Sequence, residues 1–262
     1  MAARHPIERR HHARALYATG LGIASVARIM GLPRHTVWYW CVGNGRLDLE
    51  PHAAIPCPRC QNPPQAPPDP ESYAYLLGLY LGDGHLTITA KTPVLRIACD
   101  DKYPGIMAEA EAAMLATLAR KVQRVRSVGC TGIQSYAKHW PCLLPQAGPG
   151  KKHNRPIVLE PWQEEIVAAH PGRFLRGLFH SDGCRVVNRV HKGGRDYEYP
   201  RYFFSNKSPD IMRMCQVALN RLGVEWRMAR PDSLSVARRT AVERLDRDVG
   251  PKDGQDVGPK DG

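Results

Sequence analysis

Leu76-Leu77-Gly78-Leu79-Tyr80-Leu81-Gly82-Asp83-Gly84 and Leu175-Arg176-Gly177-Leu178-Phe179-His180-Ser181-Asp182-Gly183 share one frame, Leu-x-Gly-Leu-x-x-x-Asp-Gly, with an aromatic residue after the second Leu in both. Each reads as a mostly apolar helix with glycine at its middle, stopped by the glycine after the aspartate. Asp83 and Asp182 therefore fall in a last turn. There the negative end of the helix dipole makes a carboxylate cost about 0.3–1 kcal/mol unless a cation is near. Gly78 and Gly177 remove the side chains that would hold two helices apart, so the helices can touch along their backbones. Crossing them there brings Asp83 and Asp182 together, and close carboxylates repel unless a divalent ion lies between them. A hydrolase triad made of His180, Ser181 and Asp182 is excluded, because sequence neighbours on a helix do not face one another.

The duplication extends past the nine residues. After the first stretch, Leu86, Ile88 and Ala90 alternate with Thr87, Thr89 and Lys91, and beyond Pro93 a second strand alternates Leu95, Ile97 and Cys99 with Arg96. This is a hairpin with one wet, basic face. After the second stretch come CRVVNRV, the turn HKGGRD and YPRYFFSN, with Arg185, Arg189 and Arg201 on or near strands. A helix follows in each half, from Tyr103 and from Ser208, with Ile106-Met107 answering Ile211-Met212. Each half closes with a further hairpin, where Ser135-Tyr136-Ala137-Lys138 matches Ser235-Val236-Ala237-Arg238. A cation thus recurs at nearly the same interval after each aspartate.

The doubled motif resembles that of the LAGLIDADG homing endonucleases. Leu81 and His180 replace the motif's first acid, and Gly82 and Ser181 stand at its small position. The resemblance implies an α+β fold: two pseudo-symmetric αββαββα halves in one chain, spanning residues 72–141 and 174–247 and joined by a linker and helix at 142–173. It implies Asp83 and Asp182 as ligands of Mg2+ or Mn2+, double-stranded DNA as partner, and a monomer with an internal pseudo-two-fold. Basic residues on the strands flank the metal site in that family, which points to Lys138 and Arg238, and more weakly to Lys207 beyond Asn206. The DNA-contacting set is then Thr87, Thr89, Lys91, Arg96, Arg185, Arg189, Arg201 and Lys207. The expected activity is site-specific, metal-dependent double-strand cleavage. The rival is a transcriptional regulator that keeps the scaffold for binding alone, although retained acids weaken phosphate binding and so argue for the enzyme. A nuclease lodged in an intein is disfavoured, because no splicing block flanks the motifs.

Composition agrees with a polyanion partner. Over 262 residues, 37 Lys and Arg stand against 25 Asp and Glu, a net charge of +12, and such a field attracts nucleic acid. No apolar run approaches the roughly 20 residues of a membrane span, and no signal-type segment opens the chain, so a cytoplasmic or nucleoid-associated protein is expected.

A smaller module precedes the repeats. Ile23 onward reads IASVARIMGLPRHTVWYW, in which Ala27 is followed four residues later by Gly31. This resembles a helix-turn-helix over residues 1–42: Ala27 is small under the second helix, Gly31 makes the turn, and Val26, Ile29, Leu32 and Val37 meet inside. Arg34, His35, Thr36 and Trp38 would face the DNA groove. Residues 43–71 are Pro-rich and read as a stiff linker. Cys57 and Cys60 form a Cys-x-x-Cys pair there, and Cys41 and His52 complete a ligand set for structural Zn2+. Two unliganded linker thiols are the alternative. Cys99, Cys130, Cys142, Cys184 and Cys215 read as reduced core residues. The tail 248–262, where DVGPKDG occurs twice, reads as disordered.

Overall fold

The computed structural model describes residues 7–42, 67–88, 92–250 and 252. His52, Cys57, Cys60, Thr89 and Lys91 lie outside the described residues, as does the remainder of the tail. The chain divides into two units, Met1–Ile55 and Pro56–Gly262.

The first unit holds three short helices, α1 (Ile7–Ala18), α2 (Ile23–Met30) and α3 (Arg34–Cys41). Gly31 ends α2 in the left-handed region at φ 61°, and its N–H donates to the carbonyls of Ala27 and Arg28, a closure that a residue with a side chain adopts only under strain. Ala13, Val26, Ala27, Val37 and Trp40 form the core, with Leu32 partly packed against them. Ile29 departs from the expected pattern. It lies 58% exposed, and the large indole of Trp40 fills the centre instead. Cys41 packs on this core with its Sγ 3.6 Å from the Ala13 carbonyl, which directs the thiol into its own helical unit.

The second unit begins with α4 (Pro70–Asp83), capped by Asp69, whose side chain accepts from the Ser72 N–H. There follow β1 (Gly84–Thr87), β2 (Val94–Asp100), α5 (Pro104–Thr117), β3 (Gln123–Ser127), β4 (Cys130–Tyr136) and the one-turn α6 (Trp140–Leu143). A joining segment carries a 3-10 turn (Lys152–Asn154) and α7 (Pro161–Ala169). Then the plan repeats with α8 (Pro171–Asp182), β5 (Gly183–Lys192), β6 (Arg195–Ser205), α9 (Pro209–Arg221), β7 (Arg227–Arg230), β8 (Ser233–Val236) and α10 (Arg239–Asp248). The strand orders are β1-β2-β4-β3 and β5-β6-β8-β7, antiparallel throughout. Both halves are αββαββα, as the duplication requires.

Strand alternation sorts the side chains. Leu95, Ile97 and Cys99 of β2 are buried while Ala98 and Asp100 face water, so one face of each sheet closes on the helices. Ile106, Met107, Ile211 and Met212 all enter the core. The turn between β5 and β6 is Gly193-Gly194, both with positive φ, the pair demanded by a two-residue hairpin whose twist matches its strands. The chain near the tail is ordered further than its composition suggests: α10 runs to Asp248 and Val249 is buried. Cys184 also departs from expectation, being exposed on β5. Among the described residues no helix is long and apolar enough to cross a membrane.

Candidate metal and DNA site

The site begins where α4 and α8 touch. A Cβ on Gly78 would stand 2.8 Å from the Leu178 N and 3.0 Å from the Gly177 carbonyl carbon, besides colliding with the Phe174 carbonyl oxygen. One on Gly177 would meet the Tyr75 carbonyl oxygen, the Leu79 N and the Gly78 Cα. The two glycines therefore allow backbone to lie on backbone, as the sequence predicts. The glycines that follow the aspartates work differently from the expected left-handed stop. Gly84 and Gly183 are extended (φ −83° and −103°), and space is what they provide: a Cβ on Gly84 would meet the Tyr80 carbonyl at 2.7 Å, and one on Gly183 the Phe179 Cα at 2.7 Å.

Asp83 and Asp182 end the two helices at one tip. A Cβ on Gly82 would collide with the Ser181 side chain and stand 3.0 Å from the Asp182 Oδ2, so the small residue before Asp83 makes room for Ser181 and, behind it, the opposing carboxylate. Asp83 is exposed at the tip, yet desolvation of its carboxyl by the surrounding protein, then the charge of Asp182, push it up to about 6. Burial also raises Asp182, against a hydrogen bond that Asn206 donates to its Oδ2 at 2.7 Å. Sheet register explains the difference between the two acids. Gly84 pairs with Ile97 and Gly183 with Phe204, which makes Cys99 the counterpart of Asn206. Cys99 is a buried thiol, so the position that supplies Asp182 with an amide donor carries a different side chain in the first half.

The cations acting on this pair are Lys152 and Lys252, and they correct the expectation placed on Lys138 and Arg238. Lys138 is exposed beyond β4, and Arg238 is exposed and pairs with Glu225. Their sequence match is out of register. Ser135 pairs with Leu95, whereas Val236 pairs with Tyr202, the counterpart of Leu95, so the tetrapeptides are offset by one residue, which in a strand reverses the face. Lys252 carried no sequence signal, because it stands in the tail read as structureless. Asn206 could have been found from the repeat's register.

His180 and Ser181 are structural. The Tyr75 hydroxyl lies 3.0 Å from His180 Nδ1, burial pulls the imidazole down to about 3, and Ser181 donates to carbonyls of its own helix. Arg176 grips Glu109 of α5 through Nε and Nη2, at 2.7 and 2.8 Å, and Arg173 adds a bond at 3.1 Å.

The expected DNA-facing residues divide. Arg96 is half-buried and lies across Gly132, in a transverse row with His85, Gln134 and Gln123. Arg201 lies over the Phe203 ring at 5.7 Å, on the β6 face that also carries Tyr197 and Tyr199, two exposed rings stacked at 6.2 Å that sequence reading passed over. Thr87 is half-buried at the end of β1, and Lys207 is exposed after Asn206. Arg185 is a correction: it faces inward, with Nε and Nη2 on Asp246 of α10 at 2.8 and 3.0 Å. Arg189 shares its strand face and pairs with Glu198 in the open. In the first unit Arg34 and His35 are exposed, Thr36 is half-buried, and Trp38 is 52% exposed.

Among the described residues no three His, Cys, Asp or Glu side chains converge as a metal centre. The donors at the tip are therefore two carboxylates with the terminal helix carbonyls, an all-oxygen set that fits a hard divalent cation.

Comparison with known proteins finds no match among curated relatives. Among solved structures, the chain is similar to variants of the homing endonuclease I-DmoI (16% identity, 69% of this chain and 96% of that one, TM-score 0.42). It is also similar to the LAGLIDADG meganuclease I-AabMI bound to uncleaved DNA (12%, 67% and 82%, TM-score 0.44). I-SmaMI bound to uncleaved DNA with calcium ions is a third (10%, 70% and 85%, TM-score 0.44). The family model of a LAGLIDADG-like domain matches residues 170–242, from the N-cap of α8 into α10. That segment holds the second glycine contact, Asp182 and its Asn206 donor, so the match to a LAGLIDADG-like domain falls on the half that carries them, and the preceding half repeats its αββαββα plan.

Proposed function

We propose that this chain is a divalent-metal-dependent endonuclease that cuts both strands of a DNA duplex at selected sites, acting as a monomer wherever its DNA resides, in the cytoplasm or nucleoid. The observation that carries this reading is the pair of acidic helix tips held together by backbone contact at Gly78 and Gly177. Asp83 and Asp182 would hold Mg2+ or Mn2+, and the ion when bound supplies Lewis-acid stabilisation of charge on the scissile phosphate. The glycine contact fixes the spacing of the two carboxylates. Asn206 orients the Asp182 carboxylate from behind. On the wet sheet faces, Arg96, Gln134 and Arg201 offer donors to phosphates and base edges, and Tyr197 and Tyr199 offer flat apolar surface. Arg34, His35 and Trp38 on α3 give the first unit its own contact with a groove, in the manner of a helix-turn-helix.

One observation favours a second reading, a DNA-binding regulator that does not cut: Lys152 and Lys252 already bring positive charge to both acids. Cleavage-site selection on a random duplex library separates the two. Cutting is expected with Mg2+, not with Ca2+, and is lost in Asp83→Asn while binding persists. Recovery of bound but intact duplexes under every condition would assign the chain to the regulator.

A further inference from the structure

Each motif helix receives a lysine from a segment outside the αββαββα plan. Lys152, in the 3-10 turn after α6, directs its Nζ at the last turn of α4. It contacts the carbonyl oxygen of Tyr80 and donates to those of Leu81 at 3.1 Å, Gly82 at 3.0 Å and Gly84 at 2.7 Å, with the Tyr80 ring centroid 4.8 Å away. Lys252, just after α10, donates to the Ser181 carbonyl in the last turn of α8 at 3.3 Å and lies 5.6 Å from the centroid of Tyr103.

We infer that Lys152 and Lys252 are built-in counter-ions that hold the two helix tips when metal and DNA are absent and compete with the divalent ion for them. The inference rests on the metal-dependent reading given above. An ammonium has three N–H groups and no more, yet four backbone oxygens crowd Lys152. Such a crown of oxygens is the surrounding that a hard cation takes. Both lysines bear on both acids: each of Asp83 and Asp182 is stabilised as an anion by each of them. Both ammonium groups are half-buried, at positions where solvent has given way to protein oxygen. A divalent ion arriving at the tip meets two positive charges close by, and like charges a few ångströms apart in a partly buried site oppose each other strongly. Its entry is therefore favoured when the lysines have another anion to turn to. The phosphates of a bound duplex are such anions, so metal and DNA bind more tightly together than either does alone.

The test is a Mn2+ titration of the full chain without DNA, followed by the electron paramagnetic resonance of free Mn2+, with thermal melting in parallel. Lys152→Met should bind Mn2+ roughly tenfold or more tightly than the unaltered chain, because a charge opposing the ion has gone. Its metal-free melting temperature should fall, since the carbonyl crown and the acids lose their partner, and Mn2+ should then raise it by more than in the unaltered chain. Lys152→Arg, which keeps the charge, should stay near the unaltered Mn2+ affinity. Lys252→Met should shift in the same direction as Lys152→Met and decides the matter if that variant does not fold. If the Met variants bind Mn2+ no more tightly than the unaltered chain, the lysines are mere packing and the inference fails, while metal dependence stands. If Mn2+ binds none of the chains, the metal reading falls and takes this inference with it.

Discussion

At the level of single residues, the two aspartates are equivalent by motif and unequal by environment. Asp182 accepts from the Asn206 amide, while the corresponding position of the other half is the buried Cys99. Removing a group that orients a metal-holding carboxylate commonly costs 10- to 100-fold. Asn206→Ala is therefore expected to lower the single-turnover cleavage rate by about that factor with DNA affinity unchanged, as measured by quench-flow and by fluorescence anisotropy. Equal loss of rate and affinity would make Asn206 a structural residue only. The acids were legible in the sequence because a nine-residue frame occurs twice. Their cations were not, because a lysine signals nothing by itself in a chain with 37 Lys and Arg. The one positional argument available, the match of Lys138 to Arg238, did not lead to them, because the matching tetrapeptides are offset by one residue in register and both cations stand beyond the ends of their strands.

At the level of elements, the interface between α4 and α8 turns on two opposing effects of a single methyl group. Alanine is a better helix former than glycine by about 0.5–1 kcal/mol, so in an open helix Gly78→Ala would stabilise. Here the added Cβ would stand 2.8 Å from the Leu178 N and strike the Phe174 carbonyl. Backbone cannot yield as a flexible side chain can, and overpacking costs about 1–3 kcal/mol or more. Gly78→Ala and Gly177→Ala are thus expected to destabilise, each lowering the midpoint of urea unfolding. A rise in the midpoint would show that the helices do not meet at these glycines. Helices, hairpins and their order could be read from the sequence, since the apolar period shifts from helix to strand and back in both halves. The inward turn of Arg185 could not, because its partner Asp246 lies on α10, far along the chain, and hydropathy alternation treats an arginine as wet wherever it stands. Trp40 displaced the expected Ile29 from the first unit's core for a related reason: periodicity identifies an apolar stripe, and volume decides which members fill it.

At the level of the whole molecule, the excess of 12 positive charges sets how any duplex is held. If the sheets and the first unit together neutralise about 6–10 phosphates, affinity should drop by a factor of about 10³–10⁵ between 50 and 200 mM salt, on a straight line in logarithmic coordinates. Anisotropy at several salt concentrations measures the slope, and a nearly flat line would contradict nucleic acid as the partner. The two halves of the second unit also differ in strand length, most of all in the first hairpin. β5 and β6 run 10 and 11 residues, against 4 and 7 for β1 and β2. A body with one long arm and one short arm has a handed grip. A duplex laid across it would be embraced further on one flank than on the other, so a palindrome would waste half of its symmetry. A lopsided target could then be seated in only one direction.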